Sequence, residues 1–561
     1  MKLILTEYIN SLKEDGELDK LIQDILVAHD IEIFSAPERG RQYGVDIYAV
    51  GKDFEDNNRK KVFLITVKQG DIDRQKWNVD QNSVHQSLEE IRTVFIRNNL
   101  APQHVKLPKK IIVASNGRIK QTIQQNWRGY VENCQNHEYE YWGIDFLTNQ
   151  FQDNLLNDDS FSNDVRSLIR KTIINLENPN YDLKDYNNLL KILLTEFQGA
   201  KQKRKRIKLL KQLRLIVAII TKYCQEADNL KHAVKCVERY ILYLWPEVAK
   251  DENNEDLVQS FLGAYHDLAK VFLAYYHKIS YISLIEDGFG KSTHEALVYT
   301  DVLYEQIGIF SLCGTILLQM IDFTSEKNKD IANSIKKKVE DIADSLVHTL
   351  NNNSIFFNPR ADDHHIEINL LLILLYRLNR INNIKNILQL LCQRIGEGFV
   401  LSKIFPVFSN SKREIAELDV DYEKRKDYEY GSSTLFVSLV EWTLILGNEN
   451  TYKNYVHLKK EFLKDIDLAL WFPDKDTETE LYTKNTVWDT GYTLTGIKLS
   501  DDFEEYKALT IEEYNNNCAE KDFSFMEKSF WSIGLIAARH YRTYIFPHYW
   551  RQFIASDKKG T

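Results

Sequence analysis

Up to about residue 150, short apolar runs alternate with stretches of helical periodicity; beyond it strand-like runs become rare and long amphipathic patterns take over. Leu18, Leu21, Ile22, Ile25 and Leu26 recur at helical spacing and predict a helix over Leu18–Ala28. Ile31–Phe34, Gly44–Val50 and Lys61–Lys68 read as strands. Val84, Leu88, Ile91 and Phe95 stripe a second helix over Ser83–Ile96. Lys110–Ala114 is a further strand, closed by the turn Ser115-Asn116-Gly117. A helix near Gln121–Asn133 and a short strand around Tyr139–Ile144 complete the series. The order α-β-β-β-α-β specifies a mixed sheet with helices on both faces.

From about Tyr181 onward the pattern is helical almost throughout. Leu257, Phe261, Tyr265, Leu268, Phe272 and Tyr275 form one core-facing stripe, and Ile366–Leu378 is apolar nearly all round. No repeat of fixed length recurs, so the pattern points to an irregular stack of helices rather than a regular solenoid. Trp471–Thr495, with Pro473 and Gly491, reads as a long loop. The expected fold is α+β and multidomain: a sheet domain over residues 1–155, a linker over 156–185 and an all-α domain over 186–561. A chain of 561 residues calls for about two to four cores.

The strand runs carry an anomaly. Asp46 sits inside one apolar stretch and Lys68 ends another, and burying a lone carboxylate or ammonium is costly unless each has a partner. A hairpin closed by the charged loop Lys52–Arg59 sets Asp46 roughly opposite Lys68, with Thr66 on the same face as Lys68 because strand side chains alternate. An acid and a lysine meeting at the open end of a sheet are the core of a metal-dependent phosphodiesterase site.

Glu17 on the first helix, Gly44-Val45-Asp46 opening the second strand, Thr66-Val67-Lys68 closing the third, and the element order together resemble the PD-(D/E)xK restriction-endonuclease-like nucleases. That superfamily includes Mrr-type restriction enzymes and archaeal Holliday-junction resolvases, and the resemblance covers only the N-terminal part. It implies that Asp46 and a nearby acid bind Mg²⁺ (or Mn²⁺), that Lys68 positions the attacking water, and that Glu17 is the supporting acid. One residue departs from the pattern: Thr66 stands where the superfamily has Glu or Gln. Glu17, Gln69 or Glu38 are the candidates to replace the missing ligand.

Composition narrows this reading. A net charge of −9 excludes a uniformly basic coat but not a local basic groove, because steering follows charge distribution. Arg39, Arg41 and Gln42 precede Asp46, and Arg74, Lys76 and Trp77 follow Lys68: either a substrate groove in which Trp77 stacks on a base, or a solvated loop with Trp77 packed on the domain. His85 is read as having no direct role. The run from Lys201 to Arg214 is the strongest basic patch, a DNA-backbone contact, a solvated face or a contact for an acidic partner protein. Gly288-Phe289-Gly290-Lys291 lacks the spacing of a phosphate loop, and Asp362–Glu367 reads as the cap of the apolar helix that follows. The six cysteines are scattered with no CxxC pair, as free cytosolic thiols are. The start of the chain lacks a signal pattern, and the greasiest run, Ile368–Leu375, falls far short of the ~20 residues a membrane helix needs.

The expectation is a cytoplasmic, metal-dependent DNA endonuclease with no membrane partner. A helical regulatory domain follows, and homo-oligomerisation or a partner protein restrains activity. By analogy of architecture it acts as an effector of bacterial restriction or anti-phage defence; the alternative is a degenerate nuclease fold serving as a DNA- or protein-binding scaffold.

Overall fold

The computed structural model describes residues 2–35, 43–80, 82–134, 136–155, 162–291, 295–324, 328–409, 411–474, 476–483, 490–516 and 523–556. The chain forms two compact units, Met1–Tyr223 and Cys224–Thr561. The division falls later than the expected break at 156–185, since the helices Asn163–Asn175 and Lys184–Gly199 pack on each other within the first unit.

The first unit is built on a five-stranded sheet, β1 (Glu32–Ser35), β2 (Ile47–Lys52), β3 (Lys60–Lys68), β4 (Lys109–Ser115) and β5 (Glu138–Trp142), ordered as in the sequence. β1, β2 and β3 are antiparallel neighbours, whereas β3, β4 and β5 run parallel. Parallel neighbours need crossovers, and helices supply both. Between β3 and β4 come α3 (Arg74–Asn78) and α4 (Val84–Glu90), the latter continued through a wider turn to Asn98; between β4 and β5 comes the helix Gln121–Asn133.

These crossovers cover one face. Tyr48 and Val50, Val62 and Leu64, and Ile111 and Val113 bury against Val84, Leu88, Ile91, Ile123 and Tyr130. On the other side of the sheet, Ile47, Phe63, Ile65 and Ile112 are fully buried, as are Leu5 and Ile9 of α1 (Lys2–Asn10), Ile22 and Ile25 of α2 (Asp19–Ala28), and Leu147 of the helix Ile144–Leu155. β3 is covered on both faces, as its unbroken apolar run from Val62 requires.

The expected elements are therefore present, with α1, α3 and Ile144–Leu155 added. β2 starts at Ile47, so Gly44 and Asp46 precede the strand rather than open it.

A charged cluster closes the hairpin end of this sheet. Lys61 and Lys110 lie on one face and are almost fully buried. Lys61 Nζ pairs with Asp53 at 2.9 Å, Asp56 at 2.7 Å and Glu138 at 2.5 Å. Lys110 Nζ pairs with Asp53 at 3.2 Å, Glu55 at 3.1 Å and Glu140 at 2.5 Å. Burial alone would lower the pKa of each ammonium, but the carboxylates more than offset it and hold both above the ordinary value. Burial pushes Glu140 up to about 7, and hydrogen bonding with Glu55 adds to this while Lys110 opposes it.

The second unit is mostly helical. Its central helix, Ala296–Asp322, packs against Glu255–Ile279, Lys329–Asn352, His365–Arg377 and Ser532–Tyr541. This helix corrects the expectation that no stretch reaches membrane length: by length and composition it could cross a bilayer, though most of its apolar window is buried inside the structure. The stretch expected as a long loop contains paired strands, Leu470–Phe472 against Tyr492–Leu494. Asp362 is also a cap, though of a different helix from the one expected. It accepts from Ser433 Oγ and from the backbone N–H groups of Thr434 and Leu435, the start of the helix Thr434–Ile445.

Asp53 is the shared counter-charge of two buried lysines, so Asp53→Ala should cost about 3 kcal/mol or more of unfolding free energy, seen as a lowered denaturant midpoint. The effect of Glu140→Gln should depend on pH. A carboxyl whose folded pKa is raised binds a proton on folding, so wild-type stability falls as pH rises from about 4.5 to about 7. The variant's stability relative to wild type should rise across that window and level off above it.

Candidate active site

The hairpin register decides where Asp46 lies. Ile47 pairs with Ile65 and Tyr48 with Leu64, and the Asp46 N–H donates to Ile65 O at 2.9 Å. Continuing the pairing by one residue brings Asp46 level with Thr66, not Lys68. The expected pairing is thus displaced by two residues, and a shift of two keeps every side chain on its face. Asp46, Thr66 and Lys68 share the face that carries Tyr48 and Leu64.

Asp46 is fixed there by β3. Its Oδ2 accepts from the Val67 N–H at 2.7 Å and from the Thr66 hydroxyl at 3.3 Å. Gly44 makes the approach: at φ 79°, a Cβ would lie 2.3 Å from the Ser87 carbonyl oxygen on α4, so only glycine lets this loop meet the helix. Burial pushes the Asp46 carboxyl above the usual carboxylate range. The Val67 N–H and the Lys68 ammonium pull it down, and a nearby carboxylate, Glu14, pushes it further up.

Glu14 is the residue that sequence reasoning missed. Its Oε1 lies 3.6 Å from Lys68 Nζ, and its Oε2 accepts from the Gln69 N–H at 3.0 Å. Glu17, the expected helix-borne acid, lies in the turn before α2 and folds back to accept from the Lys13 N–H at 3.0 Å. The exchange arises at Asp15 and Gly16: Asp15 is extended and Gly16 has φ 77°, which breaks the helical phase between the two glutamates. The glycine in Glu14-Asp15-Gly16-Glu17 was the available signal.

Asn116 holds the arrangement together. Fully buried, it accepts from the Gly70 N–H at 2.5 Å and donates to the carbonyls of Ile9 at 3.0 Å, Asn10 at 3.1 Å and Leu12 at 2.8 Å. One amide therefore ties the turn after Lys68 to the segment that carries Glu14. Ser115, which pairs with Lys68 across β3 and β4, donates to Gly70 O at 2.6 Å.

The other candidates separate. Trp77 is buried against Trp127 and Tyr130 and is a core residue rather than a stacking platform. His85 packs on the same Trp77 and Tyr130 rings. Lys76 donates to the Gln69 carbonyl, Arg74 is exposed, and the Gln69 side chain is exposed while its backbone binds Glu14. Glu38, Arg39, Arg41 and Gln42 lie outside the described residues.

Two places offer hard oxygen donors for a divalent ion. Asp53, Asp56 and Glu138 each bring a carboxylate oxygen within 4.8 Å of the others, a spacing that suits a metal. Lys61 Nζ is already within 3 Å of all three residues, so an ammonium supplies the positive charge there. At the opposite end, Glu14 and Asp46 are near enough for one charge to raise the pKa of the other, and among the described residues no hydrogen bond to Asp46 Oδ1 is present. Glu14, Asp46 and Lys68 thus bring two carboxylates and an ammonium to one end of β3.

Removing the Glu14 charge should relieve that repulsion. Glu14→Gln is expected to lower the pKa of Asp46, read from the carboxyl carbon shift in an NMR pH titration; an unchanged or higher value would show that the two carboxylates do not share a site. No protein-family model, curated protein or solved structure matches the chain.

Proposed function

We propose that the first unit is a metal-dependent DNA endonuclease. The observation that carries this reading is the convergence of Asp46, Glu14 and Lys68 at one end of β3. Mg²⁺ or Mn²⁺, held by Asp46 and Glu14, would neutralise charge on the scissile phosphate and lower the pKa of a bound water. The chain's own groups supply the rest. Lys68 carries its charge on a stem that is 11% exposed, where a fixed cation acts on a phosphoryl oxygen more strongly than in bulk water. Glu14 and the β3 backbone orient the lysine. The Thr66 hydroxyl and the Val67 N–H both bind Oδ2 and leave the other oxygen of Asp46 for a ligand.

Within this reading the second unit regulates, and restraint by self-association or a partner protein is expected because unrestrained cleavage of DNA is toxic. Service in restriction or anti-phage defence belongs to the same proposal. A second reading, a degenerate nuclease fold that only binds, is favoured by Thr66: a hydroxyl donating to Asp46 brings no negative charge to a metal.

Plasmid nicking separates the two. Wild type should nick supercoiled DNA with Mg²⁺ or Mn²⁺ and lose the activity in EDTA. Lys68→Ala and Asp46→Asn should lose about a hundredfold or more, and Glu14→Gln about tenfold or more, on the scale of removing a group that stabilises a transition state. Glu17→Gln should keep wild-type activity. Equal nicking by wild type and Lys68→Ala would end the proposal, and no nicking in any metal would leave the binding-only reading.

A further inference from the structure

The acid-free stretch between Glu196 and Glu226 holds nine lysines and arginines in a chain of net charge −9. Most of it is the helix Lys203–Glu226, whose Leu209, Leu210 and Leu213 are buried while Lys201, Lys203, Arg204, Lys205, Lys208 and Arg214 are exposed. Among the described residues, Lys211 pairs with Asp24 at 3.4 Å, and Arg204 reaches Asp30 at 3.9 Å with both side chains almost fully in solvent. Such an exposed pair contributes little and leaves Arg204 available.

A second basic feature lies in the same unit. Arg166, Arg170 and Lys171, with Ser167 and Ile174, line a groove along the helix Asn163–Asn175, and among the described residues no carboxylate lines it. The topology brings the two together. Asn163–Asn175 packs on Lys184–Gly199 after a short connection, so the start of the former lies beside the end of the latter. The next helix begins only four residues beyond Gly199 and folds back, with Arg206 over the Phe197 ring at 4.7 Å.

We infer that the first turns of the helix Lys203–Glu226 and the groove beside Arg170 form a dock for the sugar–phosphate backbone of duplex DNA, distinct from the Asp46–Lys68 site. This deepens the nuclease reading and rests on it for its role. The chemistry favours a polyanion over a protein partner. The exposed run from Lys201 to Lys205 presents no apolar side chain, whereas a protein interface needs a desolvated aromatic or aliphatic centre. Phosphate recognition needs only charge at intervals.

The placement also sets a geometry. Asp30 precedes β1, whose Glu32 pairs with Val50, which in turn pairs with Val62. Arg204, beside Asp30, is thus near the Lys60 end of β3, and Lys68 is eight residues away, about 26 Å at ~3.3 Å per residue. At ~3.4 Å per base pair, a duplex held at the dock covers about eight base pairs before it reaches the site.

The test uses the full chain carrying Asp46→Asn, in EDTA, so that binding is read without cleavage. A fluorescent duplex of about 24 base pairs is titrated by anisotropy across a range of salt, the slope of log affinity against log salt counting the phosphates neutralised. Adding Lys203→Glu, Arg204→Glu and Lys205→Glu should weaken binding about tenfold or more and flatten the slope by about three. A matched reversal of the exposed Lys336, Lys337 and Lys338 in the second unit makes the same change in net charge and should leave affinity within about twofold. Equal affinity and slope for both reversals would overturn the dock, as would no DNA binding at all, or single-stranded RNA bound more tightly than duplex DNA. Binding that depends on the basic helix, in a protein that nicks with no metal, would keep the dock and reject the nuclease reading.

Discussion

The bond from the Val67 N–H to Asp46 Oδ2 is the constraint on which the site depends. Asp46 stands just before β2, where its N–H still bonds to Ile65 O, but that backbone bond alone would not keep its side chain over β3. A backbone donor on the neighbouring strand does so, and the Thr66 hydroxyl adds a second contact. β3 is buried on both faces, so this donor is held by a strand packed on both sides. The carboxylate is thereby kept on the face that bears Lys68, at the cost of burial that raises its pKa.

Order at the two ends of the sheet is achieved by opposite means. At the hairpin end, Lys61 and Lys110 are buried among five carboxylates, each of which pairs with one or both of the lysines. Asp53, the most deeply buried member, is shared by both lysines, which fixes the loop between β2 and β3. At the other end, Glu14 and Asp46 sit beside a single lysine, and the balance of charge is negative. At the hairpin end an ammonium already stands among the donor oxygens, within 3 Å of Asp53, Asp56 and Glu138, whereas at the other end no hydrogen bond to Asp46 Oδ1 is present among the described residues. That difference, more than the count of carboxylates, separates the two places.

Much of this was legible in the sequence, and the misses have physical causes. The pairing of Asp46 with the end of β3 followed from two apolar runs and the charged loop between them. The error of two positions in register came from centring the turn near residue 57, whereas Lys52 pairs with Lys60 and the turn centres on residue 56. A displacement of two is harmless to facing, which is why Asp46, Thr66 and Lys68 still meet. Glu17 was preferred to Glu14 because it adjoins the apolar stripe that starts at Leu18, while the break in helical phase at Gly16 turns its carboxylate back to the Lys13 N–H. Trp77 was misplaced for a different reason. Its charged neighbours, Arg74 and Lys76, suggested a solvated loop, yet Trp77 falls on the inner side of a single helical turn capped by Asp73. One turn is too short for a stripe to be recognised, and only tertiary packing reveals it.

The same reasoning bears on Thr66. Read as a pattern, a threonine in place of an acid counts against a working site. Read as geometry, the superfamily's acid would bring a third carboxylate to a place where Asp46 is already raised by burial and by Glu14. Threonine removes that repulsion and returns a hydrogen bond to Asp46. The carboxylate beside Lys68 comes from the turn before α2, where Glu14 accepts from the Gln69 N–H, and Asn116 links the segment leading into that turn to the residues following Lys68 through one buried amide. In the proposed site the second acid would thus be carried by a loop rather than by a strand. A ligand on a loop held by a single side chain is set less firmly than one on β3, so the precision of the site rests on Asn116 as much as on the residues that would touch the metal.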